Sequence, residues 1–239
     1  MQPLKTYLKT DVLVVGAGPC GLMLANELGR RGVRCLVIDA KPDTAFNPQA
    51  NATQARTMEH FRRLGFANEI RALGLPADHP TDIAYFTRYA KHELSRISLP
   101  TAAEALVKIK SMTGSWSAAE LPHRVSQKFV EQALRRHAQA LPSAEVRYGW
   151  TLDRFADEGT AIHASIRPTE GELVQQVNAK YLVGADGARS FSVANWALSG
   201  AALPASNANS WVARCSLSTC VRRLFCPYCN TLKPGCTSQ

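Results

Sequence analysis

Acidic residues are missing altogether after residue 194 of this 239-residue chain, although 19 Asp and Glu precede that point. Residues 195–239 also lack histidine, and their apolar residues keep no period of 2 or 3.6, so nothing there encodes an amphipathic strand or helix. No run approaches the ~18 apolar residues that a membrane span requires, and Met1 to Thr10 lacks the apolar core of a secretory signal. These absences exclude a membrane-spanning helix and predict a cytoplasmic, reducing setting without disulfides. Cysteine is sparse upstream: Cys20 and Cys35 are the only two before residue 195, and the other five crowd into the tail. Of 28 Lys and Arg, 24 lie in residues 1–194, scattered among acids, so the net charge of +9 forms no stripe suited to nucleic acid. What is present is ordinary for a folded protein: 46% hydrophobic and 20% charged residues, enough to bury a core without disulfide or metal staples. Neither a membrane nor a nucleic acid is thus an expected partner, and no feature fixes the oligomeric state.

Val12 to Val15 is a short β-branched run that predicts a buried parallel strand. After Pro19 the period becomes helical through Leu22, Ala25 and Leu28, with Arg30 and Arg31 in the last turn and Gly32 as the stop. Cys35 to Ile38 follows as a second strand, completing a βαβ unit. Downstream, Thr53 to Leu64 predicts a helix with Met58, Phe61 and Leu64 on its buried side, ending at Gly65. Gln127 to Ala140 predicts another, with Ser126 as N-cap and Val130, Ala133, Leu134 and His137 buried. Alternation then marks antiparallel strands at Val146 to Trp150, Ile162 to Ile166 and Leu173 to Val177, before a last apolar strand at Tyr181 to Ala185.

Gly16-Ala17-Gly18-Pro19-Cys20-Gly21 is a G-x-G-x-x-G turn placed after a strand and opening a helix, the setting in which it has chemical meaning. The first glycine makes the tight bend, the second lets backbone approach a diphosphate, and the third lets helix and strand pack. Free N–H groups at the helix start carry about half a positive charge toward the phosphates. Asp39 closes the second strand 18 residues after Gly21, where a carboxylate accepts hydrogen bonds from ribose hydroxyls. Ala25 and Gly32 are the expected helix-packing positions. The turn predicts an adenine dinucleotide, and NAD and FAD both remain open at this point.

A second stretch, Tyr181-Leu182-Val183-Gly184-Ala185-Asp186-Gly187-Ala188-Arg189-Ser190, places an A-D-G-x-x-S segment 170 positions after Gly16. Together with the glycine turn it resembles the flavoprotein aromatic hydroxylases, the single-component FAD monooxygenases of the para-hydroxybenzoate hydroxylase and phenol hydroxylase type. Arg56-Thr57-Met58-Glu59, leading into Arg62-Arg63-Leu64-Gly65, is similar to the family segment whose arginine approaches FAD. Gln127, with Glu131 and Leu134 behind it, is similar to the family's S-Q-x-x-x-E-x-x-L helix start, where the glutamine approaches the ribityl chain and phosphates. The resemblance implies an α/β fold, a Rossmann-like parallel sheet of the FAD/NAD(P)-binding type with an antiparallel β excursion, incomplete relative to the full family. It implies FAD contacts at Gly16, Gly18, Pro19, Gly21, Asp39, Arg56, Gln127 and Asp186, with Asp186 also near the path of the reducing nicotinamide. The family usually has Glu where this chain has Asp39, and the shorter carboxylate still reaches a ribose.

The chemistry implied is hydride transfer from NADH or NADPH to FAD, then a flavin C4a-hydroperoxide that delivers oxygen from dioxygen to a small, electron-rich aromatic substrate. In such sites the protein supplies placement, water exclusion and electrostatics. His79, Tyr85 and His123 show no pattern that assigns a general base, so no catalytic residue is named. The family's third fingerprint, G-D-A-A-H followed by proline, has no counterpart here. Residues 1–194 are therefore expected to form the FAD-binding part and 195–239 an irregular tail, as though the reading frame broke near residue 194 of a longer flavoenzyme. Exposed sheet edges, with Trp196 and Trp211 nearby, then predict poor solubility. Two other readings remain: an NAD-dependent oxidoreductase on the same turn, and a zinc- or phosphate-binding tail built from Cys215, Cys220, Cys226, Cys229, Cys236 and Arg222-Arg223. The first gives Asp186 and Gln127 no role, and the second has a single C-x-x-C without histidines.

Overall fold

The computed structural model describes residues 7–47, 50–88, 91–114, 117–187 and 190–192. The tail, with its five cysteines, Trp196 and Trp211, lies outside them, as does Arg189. In chain order the elements are β1 (Leu8–Val15), α1 (Pro19–Gly29), β2 (Cys35–Asp39), β3 (Ala52–Thr53), α2 (Ala55–Leu64), α3 (Ala67–Ala72), β4 (Ile83–Phe86) and β5 (Glu93–Ile97). They continue with α4 (Ala102–Lys108), a 3-10 turn (Ile109–Ser111), β6 (His123–Arg124), α5 (Gln127–Gln139), β7 (Ala144–Tyr148), β8 (Trp150–Asp157), β9 (Ile162–Pro168) and β10 (Gln175–Gly184).

The protein is an α/β fold around a six-stranded sheet in the order β7-β2-β1-β10-β9-β8. The first four strands are parallel, and β9 and β8 continue antiparallel. Both faces of β1 are buried, which explains its unbroken apolar run. Val12 and Val14 pack with Val37, Leu22, Ala25, Met58, Phe61, Val130 and Leu134 on the helical side. Leu13 and Val15 pack with Leu36, Ile38, Leu152, Ala164, Ile166 and Leu182 on the other, where the β8–β9 excursion supplies the cover.

Several boundaries differ from those the sequence predicts. Strand β1 starts at Leu8 because Leu8 to Thr10 pair with Val177 to Ala179, a ladder that needs no apolar run. Val146 to Trp150 is not one antiparallel strand: Ala144–Tyr148 runs parallel to β2, and Gly149, at φ +71°, ends it. Gly149 N–H donates to the Lys41 carbonyl, and the chain reverses into β8 at Trp150. Leu173–Val177 and Tyr181–Ala185 instead contribute to a single strand, Gln175–Gly184, whose Lys180 interrupts the apolar run because it pairs with Asp11 at 2.9 Å. Helix α2 begins at Ala55, since Thr53 pairs with His123 in the short β3–β6 ladder, and Gly65 caps it at φ +93°. Ser126 occupies the N-cap position of α5 without a side-chain cap bond, and His137 is half-exposed, stacked on Phe66. Gly32 is a turn residue with no described residue within 4 Å of an added Cβ, while Gly29 makes the close helix contact, against Leu141.

Candidate functional site

The glycine turn forms where β1 meets its two parallel neighbours. Gly16 N–H donates to the Ile38 carbonyl at 2.7 Å, and Ala185 N–H donates to the Val15 carbonyl at 2.6 Å. The ends of β1, β2 and β10 thus converge at one edge, as dinucleotide sites require. Gly16 has φ +109°, and a Cβ there would lie 2.3 Å from the Ala185 oxygen and 2.7 Å from Asp186 N. A Cβ on Gly21 would lie 1.8 Å from the Gly16 carbonyl oxygen, so this glycine sets how closely α1 approaches the turn. Gly18 is different. Its backbone is ordinary, φ −75° and ψ −174°, and no atom of the other described residues lies within 4 Å of an added Cβ. Pro19 follows at the first helical position, and no side chain caps the N–H groups of α1.

Asp39 faces this turn. Its Oδ2 accepts from Ala17 N–H at 2.7 Å and its Oδ1 from Lys41 N–H at 2.9 Å. A carboxylate has about four acceptor sites, so two backbone bonds leave room for a pair of hydroxyls. Beside it, across the β2–β7 ladder, stands Tyr148, whose hydroxyl is buried without a partner among the described residues. Burial pushes that phenol above its usual range, Arg135 over the ring opposes the shift, and the charges of Asp39, Glu131 and Asp43 add to it.

The two fingerprints meet through backbone. The carboxylate of Asp186 is turned to its own segment, accepting from Ser190 Oγ at 2.5 Å and from Ser192 N–H at 3.1 Å and Oγ at 3.3 Å. Gln127 lies at the start of α5, where its N–H donates to the Ala50 carbonyl at 2.9 Å and its Nε2 donates to Glu131 Oε1 at 2.7 Å. Glu131 Oε2 in turn accepts from Ala45 N–H at 2.8 Å, tying α5 to the loop after Asp39. Arg56 is not drawn into this group: its side chain is 82% exposed and pairs with Glu59 at 2.5 Å.

Glu131 is the residue that sequence reasoning left in the background. A Glu flanked by Val130, Ala133 and Leu134 on a buried helix face is the signal that marks it. His79, Tyr85 and His123 are not gathered into a site. His123 is buried, with Nε2 3.1 Å from the Arg71 carbonyl, and burial together with the Arg71 charge lowers its pKa. A polar cleft of about 520 Å³ lies between Asp43–Thr44 and the C-terminal half of α5, and its arginines are engaged by Asp43 and Glu69. Among the described residues no cluster of three or more potential metal ligands occurs, and no helix is long and apolar enough to cross a membrane.

Comparison with known proteins gives this geometry its family. Residues 9–212 match the profile of the FAD binding domain. The chain belongs to that family. Its similar proteins include the FAD-dependent monooxygenase apdD of Emericella nidulans, 31% identical over 192 residues, covering 79% of this chain and 30% of that protein. The 2,4-dichlorophenol 6-monooxygenase of Delftia acidovorans is 30% identical over 190 residues, covering 80% of this chain and 32% of that protein. Among solved structures, the rebeccamycin biosynthetic enzyme RebC with reduced flavin superposes with a TM-score of 0.69 at 32% identity, covering 84% of this chain and 36% of that one. The chain therefore spans about a third of the length of these FAD-family relatives. The residues present fit FAD: open space at Gly18 among the described residues, an uncapped helix N-terminus and a carboxylate facing the turn.

Proposed function

We propose that this chain forms the FAD-holding part of an NAD(P)H-dependent monooxygenase that hydroxylates a small, phenol-like aromatic with dioxygen. The observation that carries the reading is the contrast at the turn. Gly16 and Gly21 are glycines because protein atoms crowd them, whereas Gly18 is a glycine beside open space, with no reason among the described residues to be one. A diphosphate approaching the α1 N-terminus supplies that reason. When bound, FAD supplies the acceptance of a hydride from NADH or NADPH and the activation of dioxygen. The residues of the chain have other tasks. The N–H groups of α1 bind the diphosphate, Asp39 holds the ribose hydroxyls, Gln127 faces the ribityl side, and the Ala185–Asp186 backbone closes the far wall of the turn. Arg56, paired with Glu59 in this structure, would be the arginine available to the flavin.

The test is flavin retention by the full 239-residue chain after unbound flavin is removed. The expected result is a retained absorbance band near ~450 nm, the signature of oxidised flavin. Gly18→Val should abolish that band while leaving the urea unfolding midpoint of the flavin-free protein unchanged. A colourless wild-type protein that retains NAD would overturn the reading in favour of a nicotinamide-dependent oxidoreductase.

A further inference from the structure

The loop that leaves Asp39 runs back along α5 toward the start of that helix. Asp43 meets Arg135, Ala45 meets Glu131, and Lys128 Nζ lies 5.4 Å from the centroid of the Phe46 ring. The outer two of these pins hold weakly, because Asp43 and Phe46 are exposed and ion pairs or cation–π contacts in water contribute little. The middle one is different. Glu131 is 2% exposed, on a helix face otherwise apolar, where a carboxylate is costly unless its oxygens are bonded. Oε2 accepts from Ala45 N–H at 2.8 Å, and Oε1 accepts from Gln127 Nε2 at 2.7 Å within α5. Ala45 belongs to no strand or helix, so its N–H finds no ladder and takes its acceptor from this side chain.

We infer that Glu131 is a positioning residue that clasps the loop after β2 to α5 and thereby holds Asp39 ready for ribose, a role that rests on the FAD reading above. The path from clasp to acid is short. Lys41 N–H donates to Asp39 Oδ1, and the Lys41 carbonyl accepts from Gly149 N–H. Two points therefore set the course of the loop: Gly149 at its beginning and Glu131 four residues further on, at Ala45. Released at Ala45, the loop turns about Lys41, and Asp39 keeps in full only its bond to Ala17 N–H.

Four variants of the full chain separate the clasp from packing. Glu131→Leu suits the apolar face but offers Ala45 no acceptor, whereas Glu131→Gln keeps a carbonyl oxygen for it. Ala45→Pro deletes the donor and leaves the helix untouched, and Asp43→Ala removes only the surface pair. Wild type, E131L, E131Q and D43A are treated with chymotrypsin, and the fragment ending at the exposed Phe46, next to Ala45, is followed by mass spectrometry. E131L should release it about tenfold faster than wild type, the equivalent of one charge-assisted bond, at an undiminished urea midpoint, with E131Q and D43A within about threefold of wild type. ADP, which carries ribose and diphosphate, should bind E131L and A45P about tenfold more weakly and E131Q within about threefold. Equal cleavage of E131L and wild type, or cleavage of D43A or E131Q as fast as that of E131L, overturns the clasp. Wild-type ADP affinity in both E131L and A45P overturns the hold on Asp39. A wild-type chain that binds neither ADP nor FAD overturns the FAD reading, and the cleavage rates then decide the clasp by themselves.

Discussion

At Gly16 and Gly18 the same amino acid answers two different demands, and the difference is testable. Gly16→Ala must force a side chain against the Ala185 carbonyl at a positive φ, and is expected to cost at least ~2 kcal/mol in urea unfolding. Gly18→Ala meets no neighbour and should change stability by less than ~1 kcal/mol. His123 gives a second residue-scale prediction. Burial, then the Arg71 charge, lower its pKa in the folded protein, against a smaller favourable bond to the Arg71 carbonyl. The unfolded chain takes up a proton near pH ~6.5 while the folded one resists it, so the stability contributed is complete above ~6.5 and lost as pH falls below it. Urea midpoints at pH 7.5 and 5.5 should drop for the wild type and drop less for His123→Gln; equal drops would refute the assignment. Gly16 and Gly21 were legible from spacing, because the close backbone approach there demands glycine, and Asp39 from its place at the end of the second strand. The buried role of His123 was not, because its partners Arg71 and Gly74 come from another part of the chain.

Helices α1 and α5 show what sets an element in place. Asn26 is buried on α1, and its Nδ2 donates at 2.9 Å both to Leu22 O and to Leu134 O of α5. Gly29 brings α1 against Leu141 closely enough that a Cβ would fall 2.7 Å from Leu141 Cδ1. Asn26→Ala removes a bridge between the helices in a buried setting and is expected to cost ~1–3 kcal/mol, measured by chemical unfolding. The 3.6-residue period located both helices, since one face of each is mostly apolar, although α1 ends at Gly29, before Arg30 and Arg31. The same logic failed at Val146 to Trp150. Alternation survives a reversal of chain direction when a single glycine separates two strands, and the direction of β7 is decided by β2 beside it.

Across the whole molecule the burial is uneven. The six-stranded sheet is covered on both faces, whereas every residue of β5 is exposed and Leu94 is 68% exposed. Ile83, Tyr85, Phe86 and Ile97 share that hairpin, and Val107 on α4 is 70% exposed. A two-stranded hairpin with solvent on both sides is marginal, and exposed apolar patches favour association. Leu94→Lys combined with Val107→Glu should reduce dye binding and light scattering while moving stability by no more than ~0.5 kcal/mol. A clear fall in the unfolding midpoint would mean instead that these side chains support the fold of the chain.

The sequence by itself determined the glycine turn, the apolar cores of its flanking strands, the two long helices and the acid at the end of the second strand. Each of these is written in local spacing, where backbone geometry and side-chain period act over a few residues. Only the tertiary structure decided that the A-D-G segment closes on Gly16 through its backbone, that Asp186 turns to Ser190 and Ser192, and that Arg56 rests on Glu59. It also decided that Glu131 accepts from Gln127. These outcomes depend on which strands pair and which loops they bring together, and hydrogen bonds between segments far apart in the chain leave no period in the sequence to read.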